Sequence, residues 1–214
     1  MSRRPGDATR LDGVEIARRR ALLLRPGMRP LAIFAEKLRR EHGVAVPDAD
    51  PLDGGTEARV LVLLERPGLA AEAPGFMSRD NATPTARNLR RFCEAAELHR
   101  EDSLIWNVVP WAGSDARGRN RAPRPDELRR GLAALESLLT LLPELSVAVL
   151  AGSTAGRAAP MLGALRPKLR LFAMPHPSPT IVCTDPAIRT RILCALAQAA
   201  TALGPKLQPW ETAA

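Results

Sequence analysis

Three short segments carry the side chains best suited to chemistry: Leu64-Glu65-Arg66-Pro67-Gly68, Trp106-Asn107-Val108-Val109-Pro110 and His176-Pro177-Ser178-Pro179. Each follows a strand-like apolar run, the place where an open α/β sheet builds its ligand site. Asn107 presents a carbonyl and an amide together, so a held Asn can accept from one ring position of a planar base and donate to the next. A base with the reverse pattern would leave buried polar groups unpaired. His176 can donate to an oxygen on which negative charge develops, which favours the transition state over the ground state. Glu65 can stabilise a cation, or it can pair with Arg66. Together these groups suit hydrolysis of a bond whose leaving group departs as an anion. The plainer alternatives are a strand-end Asn capping a turn and a core His, as expected of His42 and His99.

The stretch Ala73-Pro74-Gly75-Phe76-Met77-Ser78-Arg79-Asp80-Asn81 adds further candidates. Asp80 and Asn81 rank just above Glu65 as groups that orient an attacking water, and either can instead cap the helix expected from Pro84. Aromatic residues are only 3% of the chain, so Phe76, Trp106 and Trp111 are nearly all the stacking surface available at this edge. Arg79, Arg117, Arg119, Arg121 and Arg124 fall in loops near the same edge and are expected at phosphates, as are Ser178 and Thr180. Gly152-Ser153-Thr154-Ala155-Gly156 opens a helix, where Ser153 either caps or borders a phosphate; with no following Lys it is not a P-loop.

Alternating apolar strands and amphipathic helices must position these groups. Strands are expected at 59–64, 103–106, 146–150 and 169–172, and helices at 84–98, 124–142, 153–165 and 185–203. Four strands separated by helices imply a three-layer α/β/α architecture with a central four-stranded parallel sheet and right-handed crossovers. Residues 8–43 read as two basic helices broken at Arg25-Pro26-Gly27, and Pro47 to Gly55 reads as a linker. The expected organisation is therefore a basic helical extension and linker over 1–55, an α/β domain over 56–204, and a short polar tail over 205–214.

With 214 residues and a net charge of +8, the chain fits one compact domain with an affinity for polyanions. Arg18, Arg19, Arg20, Lys37, Arg39 and Arg40 either track a nucleic-acid backbone or form a solvated helix face. No apolar leader and no membrane span is read, so a cytoplasmic protein is expected. Cys93, Cys183 and Cys194 form no Cys-x-x-Cys pair and suggest neither a disulfide framework nor a zinc site.

The His-Pro-Ser-Pro segment, the Pro-Gly loop after the first strand, and Ile105-Trp106-Asn107-Val108-Val109-Pro110 with Asn120-Arg121-Ala122-Pro123 and Glu127 resemble the uracil-DNA glycosylase superfamily over roughly Arg59 to Leu203. The first loop is most similar to the Gly-Glu-Ala-Pro-Gly type, but the iron-sulfur cysteines of that type are missing, so no cluster, metal or other cofactor is expected. The resemblance implies a monomeric DNA repair enzyme that flips deoxyuridine out of single- or double-stranded DNA, releases uracil and leaves an abasic site. In it Asn107 reads the base, His176 stabilises the departing uracil, and Phe76 stacks on it if its loop shifts. Two departures support a second reading, a module that binds uracil, abasic or modified-base DNA without turnover. Arg66 stands where two forms of the motif carry a water-positioning Asp or Asn, and an Arg stays protonated. Thr180 and Ile181 stand where broad-acting relatives carry a Leu wedge.

Overall fold

The computed structural model describes residues 11–69 and 75–204, so Ala73, Pro74 and the tail beyond Gly204 lie outside the described residues. Helix α1 (Gly13–Leu22) starts where the Asp12 carboxylate accepts from the Glu15 amide at 2.8 Å, and α2 (Arg29–His42) ends at left-handed Gly43. The chain continues through β1 (Asp48–Ala49), β2 (Val60–Leu64), β3 (Phe76–Met77), α3 (Pro84–Ala95), β4 (Ser103–Asn107), α4 (Pro125–Leu139), β5 (Val147–Ala151), α5 (Gly152–Gly156), α6 (Ala159–Leu165), β6 (Arg170–Met174), α7 (Pro179–Val182) and α8 (Pro186–Ala202).

The main sheet has the order β4-β2-β5-β6, every pair parallel, and its helices cover both faces, as the alternating pattern requires. Alternation along the strands assigns each side chain to a face. Leu61, Leu63, Leu104, Trp106, Ala148 and Leu150 join α2 and α4 in one apolar layer. Val60, Val62, Ile105, Val147, Val149 and Met174 join α3 and α8 in the other. Burying each Leu or Val of the two inner strands contributes about 1.5–3 kcal/mol, which is why their sequences are apolar at every position. The helix expected over 153–165 is instead two, α5 and α6. Pro160 lies in the first turn of α6, and a proline ring clashes with the carbonyl four residues earlier, so the chain breaks and restarts.

The N-terminal region does not behave as an extension on a linker. Leu31, Phe34, Ala35 and Leu38 of α2 belong to the main apolar layer, and the Phe34 ring lies 5.8 Å from Trp106. The stretch expected as a linker is packed: Ala49, Asp50 and Gly55 are buried, and β1 pairs with β3 in parallel. Its composition, rich in Asp, Gly and Pro, reflects tight turns and buried ion pairs rather than solvation. No described helix is long and apolar enough to cross a membrane.

Candidate active site

At the carboxyl edge of the sheet, the ends of β4, β2, β5 and β6 stand side by side and deliver Asn107, Glu65, Gly152 and His176 in that order. Strand spacing of about 4.8 Å separates the outer two by roughly 14 Å of backbone, a span that two side chains and one pyrimidine between them can fill. Asn107 alternates onto the face of Ile105, the layer that also holds Met174, two residues before His176. His176 lies beyond the strand end, beside α3 through the bond between Asn88 and Pro177, while Asn107 meets Met77 of the other layer.

Asn107 is 4% exposed, and its Nδ2 donates to Met77 Sδ at 3.2 Å. The loop behind it is clamped from two sides. Val108 and Val109 amides donate to the carbonyls of Leu64 and Glu65 at 2.9 and 3.0 Å, extending the β2–β4 pairing past the strand ends. Across from them α4 approaches so closely that a Cβ on Gly131 would lie 2.2 Å from the Val108 carbonyl oxygen. A side chain at 131 would push the loop and Asn107 with it.

Arg66, whose position in the motif raised the question of the missing acid, is turned inward. Its guanidinium donates to the Trp111 and Arg121 carbonyls at 3.3 Å and pairs with Glu127 Oε1 at the same distance. It ties the first loop to the second. Glu127 also takes the Arg121 fork at 2.6 and 2.8 Å and the Arg124 amide at 2.7 Å. The Arg121 bonds foremost, together with that amide and Arg66, hold its carboxyl down to about 2. Arg121 is thus spent on a structural pair and is removed from the expected phosphate contacts.

His176 follows β6 and is half-buried, its Nδ1 accepting from the Ser178 amide at 3.2 Å. Burial pushes its pKa down, against the opposing charge of Glu65, so the ring is neutral. With Nδ1 an acceptor, the proton resides on Nε2, which becomes the ring's donor. Gly152, at φ 86°, passes beneath the ring, and a Cβ there would stand 3.1 Å from the His176 Cβ. Only glycine takes that backbone conformation without strain and leaves the ring its place. Glu65 Oε2 accepts from Thr154 Oγ1 at 2.6 Å, which fixes the carboxylate beside this corner. Asn88 of α3 donates to the Pro177 carbonyl at 3.0 Å. Nothing in the sequence pattern singled out Thr154 or Asn88, since each acts across 89 residues.

The expected water-orienting residues separate. Neither caps α3, whose cap is Thr83 accepting from the Ala86 amide. Asp80 Oδ2 is held by Arg19 at 2.6 Å and Arg100 at 2.8 Å. Burial raises its pKa, but those two guanidiniums outweigh it and the net shift is downward. A carboxylate so occupied is a poor base, and Asp80 is a structural anion. Asn81 keeps a free function: its Nδ2 donates to the Phe76 carbonyl at 2.9 Å, while its buried Oδ1 accepts from no group among the described residues. Phe76 is 1% exposed, yet it belongs to neither apolar layer.

Of the expected phosphate contacts, Arg79 is wrong for the role. It is 4% exposed, and its Nη2 donates to Ser103 Oγ at 2.6 Å. Arg19 is equally interior, at 1%. Arg117, Arg119 and Arg124 are exposed, and among the described residues Arg119 pairs with Asp115 alone, at 2.9 Å. Ser178 Oγ and Thr180 Oγ1 lie 3.0 Å apart at the start of α7, beside exposed Ile181. Ser153 is exposed but does not cap α5, whose cap position is Ala151.

A family model described as the uracil DNA glycosylase superfamily matches residues 51–197. In structure the chain is similar to wild-type SMUG2 of Pedobacter heparinus, with a TM-score of 0.52 and 16% identity over 69% of this chain and 76% of that one. No curated protein matches the chain in sequence.

Proposed function

Since this chain belongs to the uracil-DNA glycosylase superfamily and has its three-layer fold, we propose that it hydrolyses the N-glycosidic bond of deoxyuridine in DNA. It releases free uracil and leaves an abasic site. The observation that carries this reading is the Ser178 amide on His176 Nδ1, which leaves Nε2–H of the burial-favoured neutral ring as its donor. As the C1′–N1 bond breaks, its electron pair moves onto uracil, and Nε2–H donates to the O2 oxygen where that charge collects. Asn107 reads the base, its Oδ1 accepting from N3–H and its Nδ2 turning from Met77 Sδ to O4; cytosine presents the opposite pattern. Sulfur is a weak acceptor, so exchanging it for O4 is favourable.

Asn81 Oδ1, an acceptor with no partner among the described residues, holds the attacking water. Glu65 stabilises the cationic sugar and takes up the proton the water loses on adding to C1′. Phe76, buried but in neither core layer, supplies the stacking face once its loop shifts, and the exposed Arg117, Arg119 and Arg124 with Ser178 and Thr180 meet the phosphates.

The test is incubation with oligonucleotides carrying uracil, single-stranded or paired with A or G, followed by alkali. The expected result is strand scission for the unchanged chain and its loss in His176→Ala and Asn107→Ala. Scission that persists in both variants overturns the assignment. Arg66 and the occupied Asp80 favour the second reading, a module that binds such DNA without turnover. Retention of the oligonucleotide in a gel with no free uracil formed would select it.

A further inference from the structure

Helix α1 lies outside the residues matched by the family model, yet its Arg19 is among the most buried side chains of the molecule. Its guanidinium reaches Glu15 Oε1 at 2.7 Å, Asp50 Oδ2 and Asp80 Oδ2 at 2.6 Å each, and Ser78 Oγ at 3.2 Å. Arg100 reaches the same two aspartates from the other side, at 2.6 and 2.8 Å, and Asp53 at 3.1 Å. Ser78 Oγ donates to Asp50 and accepts from the Asp80 amide at 2.9 Å. Four acids, Glu15, Asp50, Asp53 and Asp80, face four arginines, Arg19, Arg79, Arg90 and Arg100, so the acids and arginines are matched. Balance is not free of cost: burial pushes the Asp53 carboxyl up to about 6 even beside Arg79 and Arg100. A well-packed apolar cluster would serve stability at least as well, so such an assembly is better explained by the geometry it imposes.

That geometry belongs to the loop Phe76–Asn81. On one side of the residues gripped by Arg19, Met77 Sδ touches Asn107 Nδ2; on the other, Asn81 holds the Phe76 carbonyl. A second contact from the same region braces the neighbouring loop, where the ring of His42, at the end of α2, lies 4.8 Å from that of Trp111. We infer that Arg19 is a positioning residue of the candidate site: through Ser78 and Asp80 it sets where Met77 and Asn81 stand relative to Asn107. The inference rests on the uracil-releasing reading for its kinetic consequence and on the hydrogen-bond geometry for its structural one.

Arg19→Lys in the full chain keeps the charge but replaces the fork with a point donor that cannot span Asp50 and Asp80 as Arg19 does. On a single-stranded uracil oligonucleotide, kcat should fall by between about tenfold and a hundredfold with KM little moved. Amide hydrogen exchange at residues 76–81 should quicken while that of β2 and β5 stays as in the unchanged chain. Ser78→Ala, which leaves all three ion pairs of Arg19 in place, should show the same pattern more weakly and decides the matter if Arg19→Lys does not fold. Val14→Ala, on the solvent-exposed face of the same helix and outside these contacts, should match the unchanged chain. An unaltered kcat in an active Arg19→Lys chain, or exchange that rises equally in β2 and β5, would overturn the inference. If the unchanged chain releases no uracil, the functional reading fails, and loop exchange alone decides whether Arg19 positions residues 76–81.

Discussion

The loops His176–Thr180, which follows β6, and Phe76–Asn81, which touches Asn107 through Met77, are held in opposite ways. The first is local and neutral: the Ser178 amide meets the ring two residues earlier, two hydroxyls meet at 3.0 Å, and prolines at 177 and 179 restrict the backbone. Asn88 adds one neutral bond from outside. The second loop is held by ionic groups from remote parts of the chain, with Arg19 acting across 61 residues and Asp50 across 28. A self-supporting segment can carry a polarised, reactive group at little cost to the fold. A loop held by distant charges ties the site to the integrity of the whole N-terminal region.

Substitutions can break that contrast. The largest stability effect is expected from Asp50→Ala, which leaves Arg19 and Arg100 sharing Asp80 in the interior. A loss of about 3–5 kcal/mol, read by denaturant unfolding, is expected for breaking such a buried pair, and an unchanged midpoint would deny the cluster its role. His176→Ala should do the reverse, lowering uracil release by about 10²–10³ through the missing donor while unfolding stays near that of the unchanged chain. Asn88→Ala removes one hydrogen bond to the Pro177 carbonyl and should cost about 1 kcal/mol, with a modest fall in rate if the His176 loop is as self-sufficient as its bonds suggest.

Acid titration sharpens the same contrast. The Glu15 carboxyl is held down to about 2 by its bonds to Arg18 and Arg19, and Glu127 to about 2 by Arg121 and its other partners. Both are lowered below the unfolded value of 4.5, so their contribution is complete above pH 4.5 and is lost as pH falls through about 2. His176 acts higher on the scale: a burial-lowered histidine resists the proton that the unfolded chain takes up at 6.5, so stability should decline as pH falls below 6.5, and uracil release should decline at lower pH still, where the folded ring takes up the proton and loses the Ser178 bond at Nδ1. The smallest effect is expected from Arg119→Ala. Thermal unfolding should not move, and the salt dependence of DNA binding should weaken by about one counterion.

Much of the fold was legible because its cause is local. Strands buried on both faces must be apolar throughout, helices between them must be amphipathic, and the crossover has one hand, so the four-stranded parallel sheet and the strand-end places of Glu65, Asn107 and His176 followed from pattern. The His-Pro-Ser-Pro segment contains the partners that orient its own ring. Arg19, Arg79, Asp80 and Arg121 show the limit. In sequence each is a charged residue suited to solvent, phosphate or water, and only the fold decides that its partners come from elsewhere in the chain and that it is withdrawn from the surface. Charge is a property of one residue, but the environment that makes it a contact, a base or a buried brace is assembled from segments tens of residues apart. The sheet and its strand-end groups were therefore determined by the sequence alone, and the division of the arginines and aspartates between surface and interior was decided by the tertiary structure.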